Sequence, residues 1–298
     1  MHGEISRFTI DTADGVAIAA YRATPAGRPK GVVQIAHGMA EHFGRYARLA
    51  ARLTDAGYAV WGNDHRGHGA SAGTHGVGHF GPGGFQSLVD DMALLTGVAK
   101  RETPDRPLIL LGHSMGSWAS QLYLLEHHRE LAGMALSGTA AMDRLLESLP
   151  ASGQPAGLAA LNAGFEPGRT SFDWLSRDEA QVDAYIADPL CGIDIDEGSL
   201  GTVFVLSAGA RTDPRLSEVR HDLPVYIISG ERDPIVGPRQ AYTRALIERY
   251  RAAGIGSVEH RVYPGGRHEM FNETCRTEVE ADLIAWLDSV VADEEGRP

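Results

Sequence analysis

Gly112-His113-Ser114-Met115-Gly116 sets a serine between two glycines, directly after the apolar run Leu108-Ile109-Leu110-Leu111 and directly before a helical segment from Trp118 to Glu126. G-x-S-x-G on its own is a common accident; between a buried strand and a helix it specifies a nucleophile elbow. The sharp turn forces the serine into strained backbone, and only residues without a Cβ can lie so close to it. A serine hydroxyl is a poor nucleophile until a base takes its proton, so the pattern calls for a histidine and for an acid that fixes the histidine's tautomer. The chemistry is acyl transfer through a covalent intermediate.

Behind such an elbow the chain order is serine, acid, histidine. Of thirteen histidines, those before Ser114 fall on the wrong side of that order, His127 and His128 end a helix, and His221 and His260 border or begin strands. His268 follows the strand ending at Tyr263 and the flexible Pro264-Gly265-Gly266-Arg267. That puts it at the carboxyl end of the last strand, where open α/β sheets carry their sites. For the acid, Asp233 follows the strand Val225 to Ser229 and the turn Gly230-Glu231-Arg232, with Glu231 as its nearest rival. Two backbone N–H groups must also face the oxyanion. One is expected from Met115 and the other from Met39, in the loop after the strand ending at Ala36.

The elements that must position these groups alternate. Arg7 to Ile10 and Val16 to Arg22, joined by Ala13-Asp14-Gly15, read as a hairpin. The runs at 32–36, 58–61, 108–111, 134–136, 225–228 and 258–263 read as strands. Between them Tyr46, Leu49 and Leu53, then Phe85, Leu88, Met92 and Leu95, and later Gln240 to Ala253, show helical spacing. A closing helix carries Val279, Leu283, Trp286 and Val290 on one face. Repeated β-α-β units with fully apolar strands imply an α/β fold with a mostly parallel, doubly wound sheet.

The alternation breaks between about Ala140 and Arg220. Met142, Leu145, Leu146 and Leu149, and then Leu158, Leu161 and Phe165, read as short amphipathic helices separated by Gly and Pro. The expected division is a core of residues 1–139 and 221–298 with an inserted cap at 140–220. Leu146, Phe165 and Trp174 are the candidates for lining an acyl pocket; for any one of them a place in the cap's own small core is an equal reading.

Composition limits the partners. With 39 acidic against 27 basic residues and a formal charge of -12, nucleic acid is excluded as a plausible ligand. No stretch approaches the roughly 18 apolar residues that span a bilayer, and Met1 to Arg22 lack a signal-peptide core. Two cysteines, Cys191 and Cys275, fall in no CxxC pair. A soluble, cytoplasmic protein with reduced thiols is the expectation, with at most transient contact with a lipid surface. Seven histidines lie between His37 and His113, and spacings such as His65-x-x-His68 and His75-x-x-x-His79 invite a metal reading. They sit among glycines and no cysteine accompanies them, so no metal and no cofactor is expected. Asp64 and Arg66 are expected to hold the loop after the fourth strand.

The segments His37-Gly38-Met39-Ala40-Glu41-His42, Asp64-His65-Arg66-Gly67-His68-Gly69-Ala70-Ser71 and Gly112 to Gly116 resemble the monoacylglycerol lipase and lysophospholipase group of α/β-hydrolases, of serine aminopeptidase S33 type. Ser229-Gly230-Glu231-Arg232-Asp233, Gly266-Arg267-His268-Glu269 and the cap's Asp188-Pro189-Leu190 also match that group. The resemblance implies the α/β-hydrolase fold and hydrolysis of a monoacylglycerol, a lysophospholipid or another single-chain ester by Ser114, His268 and Asp233. A short-chain esterase, a peptidase or amidase on the same fold, and a silent ligand-binding module are the alternatives.

Overall fold

A computed structural model describes residues 4–73, 75–148 and 158–296. Eight strands form one sheet: β1 (Ser6–Asp11), β2 (Ala17–Ala23), β3 (Gly31–Ala36), β4 (Tyr58–Asn63), β5 (Leu108–His113), β6 (Gly133–Ser137), β7 (Val225–Gly230) and β8 (Val258–Tyr263). Their spatial order is β1-β2-β4-β3-β5-β6-β7-β8. β1 pairs with β2 and β2 with β4 in antiparallel register, and every other pair is parallel. The expected hairpin is there, closed by Gly15 at φ 82.

Every residue of β3, β4, β5, β6 and β7 is buried. Because side chains alternate across a strand, each strand feeds two cores. Val32, Leu108, Leu110, Met134, Leu136, Val225 and Ile227 face one side. There they meet α2 (Gly84–Glu102), α3 (Met115–His127) and α7 (Ala241–Ala252). Val33, Ile35, Ile109, Leu111, Ala135 and Ile228 face the other, under α1 (Ala47–Asp55) and α8 (Arg276–Glu295). Continuous apolar runs, rather than alternation, are therefore the correct signature of this sheet.

Between β6 and β7 the described residues contain no strand. Instead they hold α4 (Met142–Glu147), a 3-10 helix over Leu158–Phe165, α5 (Glu179–Ala187), α6 (Glu197–Gly209) and two short 3-10 turns. This stretch does not sit apart from the core. Met142, Val203, Ala210 and Leu216 join the cluster over α2 and α3. Only Trp174, Leu175 and Tyr185 form a small cluster of their own. No described helix is long and apolar enough to cross a membrane, and both cysteines are free thiols.

Candidate active site

The four loops that carry the candidate residues leave the carboxyl ends of β3, β5, β7 and β8, so the parallel sheet itself collects them at one edge. Ser114 sits between β5 and α3 at φ 50, ψ -120, a conformation costly for any residue with a Cβ. Its flanking glycines have a steric reason. A Cβ on Gly116 would strike the carbonyl oxygens of Ala36 and His37, and one on Gly112 would strike Ser120 Oγ and the Gly116 carbonyl. The elbow is thus pressed against β3, which leads into the loop holding Met39.

His268 Nδ1 lies 2.9 Å from Asp233 Oδ2, with both side chains almost wholly buried. Asp233 is held by a second bond, from Ile235 N–H to its other oxygen at 2.9 Å, as the cap of the turn Pro234–Val236. Burial pulls the His268 imidazolium down. The Asp233 carboxylate, as charge and as hydrogen-bond acceptor, outweighs it with help from Glu269 and Glu41, and the net pKa is raised. Gly138, at φ 58, supplies the floor: a Cβ there would come within 2.7 Å of His268 Cε1. The histidine loop is also tied to the inserted stretch, His268 N–H to the Trp174 carbonyl at 3.3 Å and Glu269 N–H to that of Leu175 at 2.8 Å.

In the loop after β3, Gly38 N–H goes to Glu41 Oε1 and Ala40 N–H to His68 Nε2. Met39 N–H, between them, has no partner among the described residues. Met115 opens α3, so its N–H has no carbonyl one turn earlier to bond. Ala40 takes a left-handed φ of 54, and its carbonyl accepts from Gly192 N–H at 2.9 Å and Tyr185 Oη at 3.0 Å. The segment resembling a short cap signature therefore clamps the loop from above, with Asp188 Oδ2 2.9 Å from His42 Nε2.

Sequence reasoning missed a buried ion network beneath this loop. Glu41 accepts from Gly38 N–H, from Tyr46 Oη at 2.7 Å and from Arg45 Nη1 at 2.7 Å. Arg45 in turn grips the Glu269 carboxylate with both terminal nitrogens. Burial alone would raise the Glu41 carboxyl; Arg45, His113, His37 and the Tyr46 bond outweigh it and hold it well below the usual range. The available signal was the i,i+4 spacing of Glu41 and Arg45.

Four buried histidines pack beside this loop. His37 Nδ1 donates to the Gly38 carbonyl while Nε2 accepts from His65 N–H at 2.8 Å. His68 Nδ1 donates to the Arg66 carbonyl at 3.1 Å. Burial, the largest influence on each, lowers the pKa of His37, His65, His68 and His113; the His37 and His68 rings brace backbone, whereas His113 Nδ1 lies 3.3 Å from Ser137 Oγ. Arg66 makes a two-pronged ion pair with buried Asp91, both bonds at 2.8 Å. Asp64 accepts from Phe43 N–H, Ala70 N–H and Tyr21 Oη. These two residues hold the loop after β4 as expected.

A narrow cleft, with about 20 Å³ of free volume, is lined by Gly38, Met39, His113, Ser114, Trp174, Leu175, Tyr185 and His268, among others. It unites Ser114, His268, one oxyanion candidate and one pocket candidate. The Trp174 ring lies 4.8 Å from that of His268, tilted by 38°. Phe165 and Leu146 do not line this cleft. The Phe165 ring meets two guanidinium groups, Arg267 at 4.7 Å and Arg232 at 5.1 Å from its centre. Leu146 packs against the main core. Leu149 lies outside the described residues, as does the side chain of Leu158.

Comparison with known proteins shows the family and the fold. The family described as serine aminopeptidase, S33, matches residues 27–275. A monoacylglycerol lipase of Mycolicibacterium smegmatis is 34% identical over 268 residues, covering 89% of this chain and 90% of its own. A monoglyceride lipase of Mus musculus is 31% identical, covering 84% and 78%. The crystal structure of a thermostable carboxyl esterase from Bacillus coagulans, in complex with glycerol, superposes with a TM-score of 0.84 at 27% identity, over 96% of this chain and 99% of that one. The chain belongs to the serine aminopeptidase S33 family of α/β-hydrolases.

Proposed function

We propose that this chain is a carboxylic ester hydrolase that works through an acyl-enzyme, with Ser114 as nucleophile, His268 as base and Asp233 as the acid that orients it. The observation that carries the reading is the buried Asp233–His268 pair at 2.9 Å opening onto the same cleft as Ser114 on its strained turn. With Nδ1–H committed to Asp233, the lone pair of Nε2 is free to take the serine proton. Ser114 Oγ attacks the ester carbonyl, and the oxygen's growing charge is met by the N–H groups of Met39 and Met115. His268 returns its proton to the leaving alcohol as the C–O bond breaks. Water then repeats the sequence in reverse roles and frees the acid. The residues at hand perform every step, and no cofactor is required.

Relatives named as monoacylglycerol lipases favour a monoacylglycerol, a lysophospholipid or a similar single-chain ester. The stretch 140–220 is proposed as the cap that sets acyl preference, with Trp174 as the pocket residue best supported by its place in the cleft. Two free thiols suit a cytoplasmic location. The narrowness of the cleft favours a second reading, a short-chain carboxylesterase. Hydrolysis of an acyl panel from acetyl to oleoyl glycerol separates the two. The first reading expects kcat/KM to climb with chain length, and a maximum at two to four carbons would establish the second.

A further inference from the structure

We propose that His42, Asp188 and Cys191 form a binding site for a divalent transition metal of the zinc class, between the Asp188–Gly192 turn and the loop after β3. One ligand atom from each residue lies within 4.8 Å of the other two, and His42 Nε2 is already 2.9 Å from Asp188 Oδ2. Zinc takes nitrogen, oxygen and sulfur at about 2.0–2.3 Å, which sets donor separations of roughly 3.3–3.8 Å. The site closes with a movement of about 1 Å by the Cys191 side chain, leaving one position for water. A mixed thiolate, imidazole and carboxylate set selects zinc or cobalt over magnesium or calcium, which want oxygen alone.

The frame is already built. Phe43 N–H to Asp64 Oδ1 at 2.9 Å and Arg45 N–H to the His42 carbonyl at 3.2 Å fix the backbone around His42. On the other side, Leu190 N–H binds Asp188 Oδ1 at 2.9 Å and Cys191 N–H binds the Asp188 carbonyl at 3.0 Å. The Gly192 N–H to Ala40 carbonyl bond holds the two segments in apposition, so little ordering is left for the ion to impose. All three ligands are half-buried, which leaves the ion a path in. Burial pushes the Cys191 thiol up to about 12, and Glu41, Asp188 and Glu269 add to it against Arg45. Those same carboxylates attract a cation, while Arg45 is offset by its own pairs with Glu41 and Glu269.

The protons balance. Without an ion, His42 Nδ1 accepts from Gly44 N–H at 3.2 Å, so the proton is on Nε2 and points at Asp188. Metal binding takes the Nε2 lone pair, moves that proton to Nδ1 at the expense of the Gly44 bond, and releases the thiol proton to water. Affinity therefore rises with pH. Nothing is oxidised or reduced.

Binding is independent of the proposed esterase activity. The test is titration of the chelator-treated full chain with Co²⁺, read by near-ultraviolet thiolate-to-cobalt charge transfer and visible d–d bands. We expect one equivalent bound with a charge-transfer band, displaced by Zn²⁺. Cys191→Ser, whose melting temperature and basal ester hydrolysis should match the parent, should lose the band and at least tenfold in affinity; His42→Gln should also weaken binding. No charge-transfer band in the parent, or equal affinity in Cys191→Ser, would overturn the site.

Discussion

Arg45 holds the Glu269 carboxylate through both terminal guanidinium nitrogens, one residue beyond His268, and at the same time holds Glu41, two residues beyond Met39. The oxyanion loop and the histidine loop are thereby joined through one buried cation, its side chain 9% exposed. Removing one member of a buried ion network leaves uncompensated charge and costs about 3–5 kcal/mol. Arg45→Ala should lose stability on that scale in urea unfolding, and lose kcat as well. Replacing the trio together, Glu41→Gln, Arg45→Met and Glu269→Gln, should restore most of the stability. A single Arg45→Ala variant within 1 kcal/mol of the parent would contradict this account.

Asp233 is expected to act only through the orientation and charge of His268. Asp233→Asn keeps the shape but presents an amide that disfavours Nδ1–H, and in comparable triads such a change costs on the order of 10⁴ in kcat. Steady-state kinetics should show the loss in kcat with KM little moved. Retention of a tenth or more of the parental kcat would point to Glu231, the nearest rival in the turn after β7.

The acid limb of the rate follows from the same pair. His268 must be neutral to accept the serine proton, and its pKa is raised from the ordinary value of 6.5 because Asp233, Glu269 and Glu41 outweigh burial. kcat/KM should therefore fall as pH drops through a value above 6.5, and Asp233→Asn should move that limb downward. A limb below 6.5 in the parent, while circular dichroism reports a folded chain, would refute the assignment.

Much of this is legible in the sequence, and the reasons are particular. Leu108 to Leu111 is unbroken because β5 is covered on both faces, and Gly112 and Gly116 flank Ser114 because neighbouring backbone occupies the space of a Cβ. Asp233 and His268 fall out of chain order once Ser114 is placed. The role of Phe165 does not. Its clamp depends on Arg232 and Arg267, which reach one ring from two loops 35 positions apart, and no local pattern encodes that meeting. The course of α5 and α6 was equally hidden, since neither helix carries a clear amphipathic stripe to announce it.

The clamp revises what the pocket candidates should do. Each cation–π contact at a partly exposed site contributes about 0.5–1 kcal/mol. Phe165→Ala should thus lower stability by roughly 1–2 kcal/mol in urea unfolding and leave the acyl-length profile as it was; Leu146→Ala should also leave it. Trp174→Ala, which opens the cleft beside His268, should shift the preferred chain length. A profile that moves with Phe165 and not with Trp174 would place the acyl chain elsewhere.

The central claim is that Ser114, on its strained turn, is the nucleophile. Treatment of the full chain with a fluorophosphonate, followed by intact-mass and peptide mass spectrometry, tests it most directly. The account predicts one adduct per chain, on Ser114, with complete loss of ester hydrolysis. Ser114→Ala should take no label and show no turnover while melting near the parental temperature. Full ester hydrolysis by a folded Ser114→Ala variant, or stoichiometric labelling of any other residue, would contradict it.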